Sequence, residues 1–150
     1  MKKSAGILVY RQRDDIEFFL VHPGGPFFRK KDLGVWTIPK GEINDGEDPL
    51  IAAQREFFEE TGLQVPGPFI ELKPVKMKSG KLIFAWTTLH NIDETKVFSN
   101  LFEIEWPPKS GKLQMFPEVD KAGWFTEAEA RQKIIEVQVP LIDELLTLII

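Results

Sequence analysis

Cysteine is absent from the 150 residues. That removes a disulfide framework, a thiolate zinc site and a cysteine nucleophile together, and it suits a cytoplasmic protein. No apolar run reaches the roughly 18 residues of a membrane-spanning helix. Lys2 and Lys3 are not followed by the apolar stretch of a signal peptide. A basic excess is also missing: the net charge is −4, which argues against broad nucleic-acid binding. Repeats, low-complexity stretches and linkers are lacking as well. What remains is an ordinary globular composition, 43% hydrophobic and 28% charged. The length suits one domain over residues 1–150 and a core that needs no metal or disulfide staple.

Ser4–Arg11 (SAGILVYR) and Ile16–His22 (IEFFLVH) predict two buried strands around a polar hairpin at Gln12–Asp15. Pro23–Gly34 predicts a loop, followed by a short strand at Val35–Ile38 that Pro39 stops. Asp48–Thr61 carries the clearest helix signals: Asp48 as N-cap, Pro49 at the first helical position and Gly62 as left-handed C-terminal cap. Ile70–Lys78 and Lys81–His90 predict a hairpin across Ser79-Gly80. Leu101–Trp106 reads as a strand, Pro107–Pro117 as a loop and Lys121–Phe125 as a last short strand. Thr126 and Glu129 form a capping-box pair opening a helix over Thr126–Lys133, and Pro140–Ile149 predicts an apolar helix. Strands alternating with helices, with hairpins between them, imply an α/β fold on a mixed sheet.

The chemistry concentrates in Gly41–Leu63, GEINDGEDPLIAAQREFFEETGL. On a helix, Glu56, Glu59 and Glu60 fall within about 100° of arc, with Leu50, Ile51, Ala53, Phe57 and Phe58 over much of the other side. Like charges at these spacings cost roughly 0.2–0.5 kcal/mol each, and a hard divalent cation such as Mg²⁺ or Mn²⁺ offsets that cost. A solvated acidic face is the commoner origin of such a cluster. Arg55, able to orient a carboxylate through a charge-assisted fork, and the bracketing Gly41, Gly46 and Gly62 turn the reading toward a site.

The segment resembles the Nudix box of the Nudix hydrolases. The pattern is Gly, five residues, Glu, seven residues, Arg-Glu, bulky apolar, any residue, Glu-Glu, any residue, Gly, bulky apolar. It falls on Gly41, Glu47, Arg55, Glu56, Phe57, Glu59, Glu60, Gly62 and Leu63, with Phe57 an aromatic where an aliphatic is commoner. The resemblance implies a Nudix-type α/β/α sandwich with the box as loop–helix–loop. It also implies Mg²⁺-dependent hydrolysis of a diphosphate linkage. On that resemblance Glu56, Glu59 and Glu60 hold the metal, Glu56 or Glu59 being the alternative general base. Arg55 supports this catalytic group by pairing with Glu47, while Gly41, Glu47 and Gly62 are structural and the Lys40 carbonyl is a further donor. The family often adds a later carboxylate; Glu118 is the first choice, with Glu103 and Glu105 as rivals on a strand face that otherwise reads as merely exposed.

Substrate signals are thinner. Trp36–Gly41 (WTIPKG) resembles the approach to the box in diadenosine polyphosphate and diphosphoinositol-type Nudix enzymes. Lys40 can meet a phosphate as a point charge. Arg29, Lys30 and Lys31 either bind an outer phosphate or solubilise their loop. Phe27, Phe28, Phe116 and Trp106 either stack a base or anchor loops, and His22 and His90 read as structural. SAGILVYR, VHPGGP and FPEVDKAGWF resemble small bacterial Nudix nucleotide pyrophosphohydrolases. The expected partner is a small nucleotide or polyphosphate, with neither membrane nor nucleic acid. Nucleotide sugars, capped RNA, diphosphoinositol polyphosphates and a non-catalytic Nudix sensor are the rival assignments.

Overall fold

The structure, a computed structural model, describes Lys2–Ile149; Met1 and Ile150 of the expected 1–150 domain lie outside the described residues. Its strands and helices are β1 (Lys3–Gln12), β2 (Ile16–Pro23), β3 (Lys40–Glu42), α1 (Pro49–Thr61), β4 (Ile70–Glu71), β5 (Val75–Lys76), β6 (Leu82–Leu89), β7 (Leu101–Glu105), β8 (Leu113–Pro117), β9 (Val119–Thr126), α2 (Glu127–Lys133) and α3 (Val139–Ile149). The main sheet runs β4-β6-β1-β2-β9, with β3 also on β1 and β5 also on β6. β1 and β6 are parallel and the other pairs antiparallel, so the sheet is mixed. β7 and β8 form a separate two-stranded ribbon.

Period-two alternation sorts the apolar strand residues to two faces. Ala5, Ile7, Val9, Phe19 and Val21 pack with Ala52, Ala53 and Phe57 of α1. Leu8, Phe18, Leu20, Ile83 and Ala85 pack on the other face with Ala130, Leu141, Ile142 and Leu145 of α2 and α3. Burial on both faces is why the first two strands read as nearly continuous apolar runs. The result is a helix–sheet–helix sandwich.

Four expectations change. Val35–Ile38 forms no strand: its peptides divide their bonds among three partners. Thr37 exchanges bonds with Val21, Trp36 with the chain at Lys133–Ile135, and Ile38 N–H donates to the buried Gln138 amide oxygen at 3.0 Å. The chain instead becomes β3 just after Pro39, pairing Lys40, Gly41 and Glu42 with Gly6, Ala5 and Ser4. Ile70–Lys78 is broken around Lys73-Pro74. Six residues from Ile70 to Val75 face five from Thr87 to Ile83, a bulge that accommodates the proline lacking an N–H. Within the expected loop 107–117, Leu113–Pro117 is a strand, pairing register for register with β7.

Candidate active site

The box begins on β3, paired with the central strand β1, and closes its helix at a glycine cap. β3 ties Gly41 to Ala5, so the loop that follows leaves from a fixed point of the sheet. Asp48 then caps α1, its carboxylate accepting from Leu50 and Ile51 N–H at 3.1 and 3.2 Å. At the far end Gly62, with φ of 73°, donates its N–H to Phe58 O at 2.7 Å; a side chain there would be strained by the left-handed backbone.

Arg55 organises the loop against the helix. Its Nε and Nη2 grip both oxygens of Glu47 at 2.8 and 3.0 Å. Nη2 also donates to the Glu42 carbonyl at 2.9 Å, and Nη1 reaches Glu56 and Glu59 at 2.8 and 2.9 Å. Only a planar, multi-donor cation can serve so many acceptors at once. The Arg55 fork, helped by the Asn44 N–H, holds the Glu47 carboxyl below its ordinary range, and Glu47 in turn raises Arg55.

Helical geometry explains the state of the three carboxylates. Measured from Ala52 at about 100° per residue, Glu56 falls near 40° and Glu60 near 80°. Both therefore lie between Ala52 and the buried pair Ala53 and Phe57, inside the inward arc. Glu59 stands at its margin. This corrects the expected division of the helix: Ile51 and Phe58 point outward and are half exposed, while Glu56 and Glu60 are the partly buried ones. Burial, reinforced by Glu59, raises Glu56 against the opposing pull of Arg55. Burial pushes Glu60 up to about 8, with Lys40 opposing and Glu56 reinforcing. Lys40, itself lowered by burial, offers its backbone N–H to Glu60 at 3.3 Å. Gly41 completes the packing, since a Cβ there would sit 2.0 Å from Glu56 Oε2.

Glu118 lies on the short link between β8 and β9, exposed but raised by partial burial and by Glu59. A strap at Ser99-Asn100 fixes it: Asn100 N–H donates to Glu59 O at 2.9 Å, and Asn100 O accepts from Glu118 N–H at 2.8 Å. Backbone groups do this work, so no residue type announced it in the sequence. Ser99 adds a buried hydroxyl bonded to both backbone groups of Val119. The rivals are placed elsewhere. Glu105 accepts from Lys109 and Gly111 N–H at 3.0 and 3.2 Å and closes the ribbon turn; Glu103 is exposed on the ribbon. Arg29 lies in the exposed loop before Lys40. His22 is buried, with Nδ1 2.8 Å from Asp120 and Nε2 2.7 Å from the Lys31 carbonyl.

Among the described residues no three acidic or histidine side chains converge into a ready cage for an ion, because Arg55 holds one oxygen each of Glu56 and Glu59. The donor set nonetheless fits a hard divalent cation: Glu56, Glu59, Glu60 and Glu118 supply only oxygen. Three of them are raised by burial with a like charge reinforcing, a cost that a bound cation relieves.

Comparison with known proteins agrees with this architecture. Nudix hydrolase 7 of Arabidopsis thaliana is 30% identical over 113 residues, covering 70% of this chain and 38% of that protein. The RNA pyrophosphohydrolase of Bartonella bacilliformis is 53% identical over 65 residues, covering 42% of this chain and 37% of the other. The chain thus spans little more than a third of the length of these relatives. The structure of a C. elegans Ap4A hydrolase binary complex superposes with a TM-score of 0.64 at 22% identity, covering 99% of this chain and 97% of that one. The Nudix domain of Shewanella oneidensis NrtR, complexed with ADP-ribose, gives 0.67 at 18% identity, covering 99% and 88%. At such identities the structures speak to the fold. The NUDIX domain model matches residues 1–145, and with the box folded as loop, helix and loop on a mixed sheet, the chain belongs to the NUDIX domain family.

Proposed function

We propose that the chain is an acid anhydride hydrolase, a Mg²⁺-dependent pyrophosphohydrolase of nucleoside or dinucleoside polyphosphates. The observation that carries this reading is the inward placement of Glu56 and Glu60 beside Glu59 and Glu118. A fold does not keep so many facing carboxylates partly buried for stability. Glu60 and Glu118 hold the ion on this reading together with Glu56 and Glu59, or with one of these two where the other serves as the base, and Mn²⁺ is a substitute. When bound, Mg²⁺ neutralises diphosphate charge and lowers the pKa of water.

The chain's own groups do the rest. Glu56 or Glu59 takes the proton of the attacking water as its oxygen bonds to phosphorus and the bridging P–O bond breaks, the leaving phosphate departing with the electron pair. Arg55 is a positioning residue: anchored on Glu47 and Glu42, it sets where the Glu56 and Glu59 oxygens stand. Lys40, beside Glu60, meets a substrate phosphate as a point charge, and Arg29 meets an outer one. Gly41 leaves room for the Glu56 carboxylate.

The test is a panel assay of phosphate and pyrophosphate release from diadenosine tetraphosphate, ATP, GTP, ADP-ribose, a diphosphoinositol polyphosphate and a 5′-triphosphorylated RNA. Hydrolysis of the nucleotide anhydrides supports the reading. Preference for the RNA would move the chain toward the function that its Bartonella relative is named for. Tight binding of one compound with no hydrolysis of any would make it a sensor.

A further inference from the structure

The loop between β2 and β3 carries more than the Arg29 cation already given to an outer phosphate. Phe27 meets Trp106 edge to face, with centroids 5.3 Å apart at 83°. Pro26, Phe27, Arg29, Lys30, Lys31 and Trp106 line one depression of about 320 Å³. Phe27 is 54% exposed, and among the described residues none of the three cations enters an ion pair. Free aromatic surface beside unpaired positive charge matches a base with its phosphate.

The loop is anchored at both ends. Gly24 N–H donates to the Glu118 carbonyl at 2.8 Å, and a Cβ on Gly25 would lie 2.8 Å from the Phe102 ring. At the other end the buried His22 ring, backed by Asp120, bonds the Lys31 carbonyl. The pocket adjoins the end of the ribbon remote from Glu118. β7 and β8 pair from Leu101 and Pro117, next to Glu118, to Glu105 and Leu113, next to Trp106. The four residue-to-residue steps between those ends of the ribbon extend roughly 13 Å, a length that a short phosphate chain and a ribose cover.

We propose that this pocket seats the second nucleoside of a dinucleoside polyphosphate, its base against Trp106 and Phe27 and its nearest phosphates against Arg29, Lys30 and Lys31. The proposal rests on the pyrophosphohydrolase reading above and makes the far nucleoside, not the phosphate count, the feature selected.

The experiment compares kcat/KM for diadenosine tetraphosphate with that for adenosine tetraphosphate, which has the phosphates without the second nucleoside. The protein as it stands should prefer the dinucleotide. Trp106→Ala should cut that preference roughly tenfold, mainly through KM, as expected for one lost stacking platform. Phe27→Ala, at an exposed position that folding tolerates, should cut it in the same direction. A second readout needs no turnover: in EDTA, diadenosine tetraphosphate should quench tryptophan fluorescence, and Trp106→Phe should remove most of that quench. Unchanged preference in both alanine variants with the quench intact in Trp106→Phe would overturn the pocket and leave the hydrolase reading standing. Quenching that depends on Trp106 in a chain that hydrolyses neither compound would support the pocket and refute the hydrolase.

Discussion

Replacing Glu60 by Gln in the metal-free protein isolates the cost of a half-buried carboxylate. Burial lifts Glu60 from an ordinary 4.5 to about 8. The folded-state pKa is therefore the higher one. Between these values the folded chain holds a proton that the unfolded chain has released, so Glu60 favours the fold at low pH and that contribution is lost as pH rises through about 8. The slope approaches 1.4 kcal/mol per pH unit at most, or on the order of several kcal/mol across the window. Gln keeps an oxygen for the Lys40 N–H, 3.3 Å away in the parent, and cannot ionise. For a chain of this size about 1 kcal/mol moves the melting temperature by roughly 2–4 °C. Thermal denaturation in EDTA should therefore find Glu60→Gln close to the parent near pH 5 and roughly 10 °C or more above it in melting temperature beyond pH 8. Mg²⁺ should stabilise the parent at high pH far more than the variant. A variant that tracks the parent at every pH, or melts below it above pH 8, would mean that the buried Glu60 carboxylate does not destabilise the metal-free fold.

Further substitutions probe other parts of the site. Gly41→Ala drives a methyl into the Glu56 carboxylate, 2.0 Å from Oε2, and should lower kcat at least tenfold while circular dichroism stays native. Arg55→Lys offers a single point charge where Glu42, Glu47, Glu56 and Glu59 now share a fork, so both kcat and melting temperature should fall; an unchanged kcat would remove Arg55 from the positioning role. Glu118→Gln should lose more turnover than Glu103→Gln, and Glu105→Gln should loosen the ribbon turn, seen as faster amide exchange at Lys109 and Gly111, without comparable loss of rate. Phe57→Ala, at a fully buried contact of α1 with the sheet, should cost about 3–5 kcal/mol, read by urea denaturation.

What the sequence made legible was what depends on local pattern. Strands buried on two faces announced themselves as apolar runs, and α1 by Asp48, Pro49 and Gly62. The box was legible through its resemblance to a known family's pattern, while spacing alone placed three carboxylates on one edge of a helix. What stayed hidden depends on partners distant in the chain. β3 exists because Ser4, Ala5 and Gly6 lie beside Lys40, Gly41 and Glu42, and Pro-Lys-Gly has no strand propensity of its own to signal it. β8 exists because β7 is there to pair with it. Ile51 and Phe58 looked like core by hydrophobicity, yet the outward arc of the helix took them, and two glutamates took inward places. The Asn100 strap acts through its backbone, which any residue supplies.

The central claim is that the carboxylates on and beside α1 work with a divalent cation to break a phosphoanhydride. Its most direct test is turnover of diadenosine tetraphosphate by the parent and by Glu56→Gln, each in millimolar Mg²⁺ and in excess EDTA. Turnover by the parent in Mg²⁺ alone, with Glu56→Gln slower by orders of magnitude and equally well folded, is the predicted result. Undiminished hydrolysis in EDTA, or a Glu56→Gln variant as fast as the parent, would contradict it.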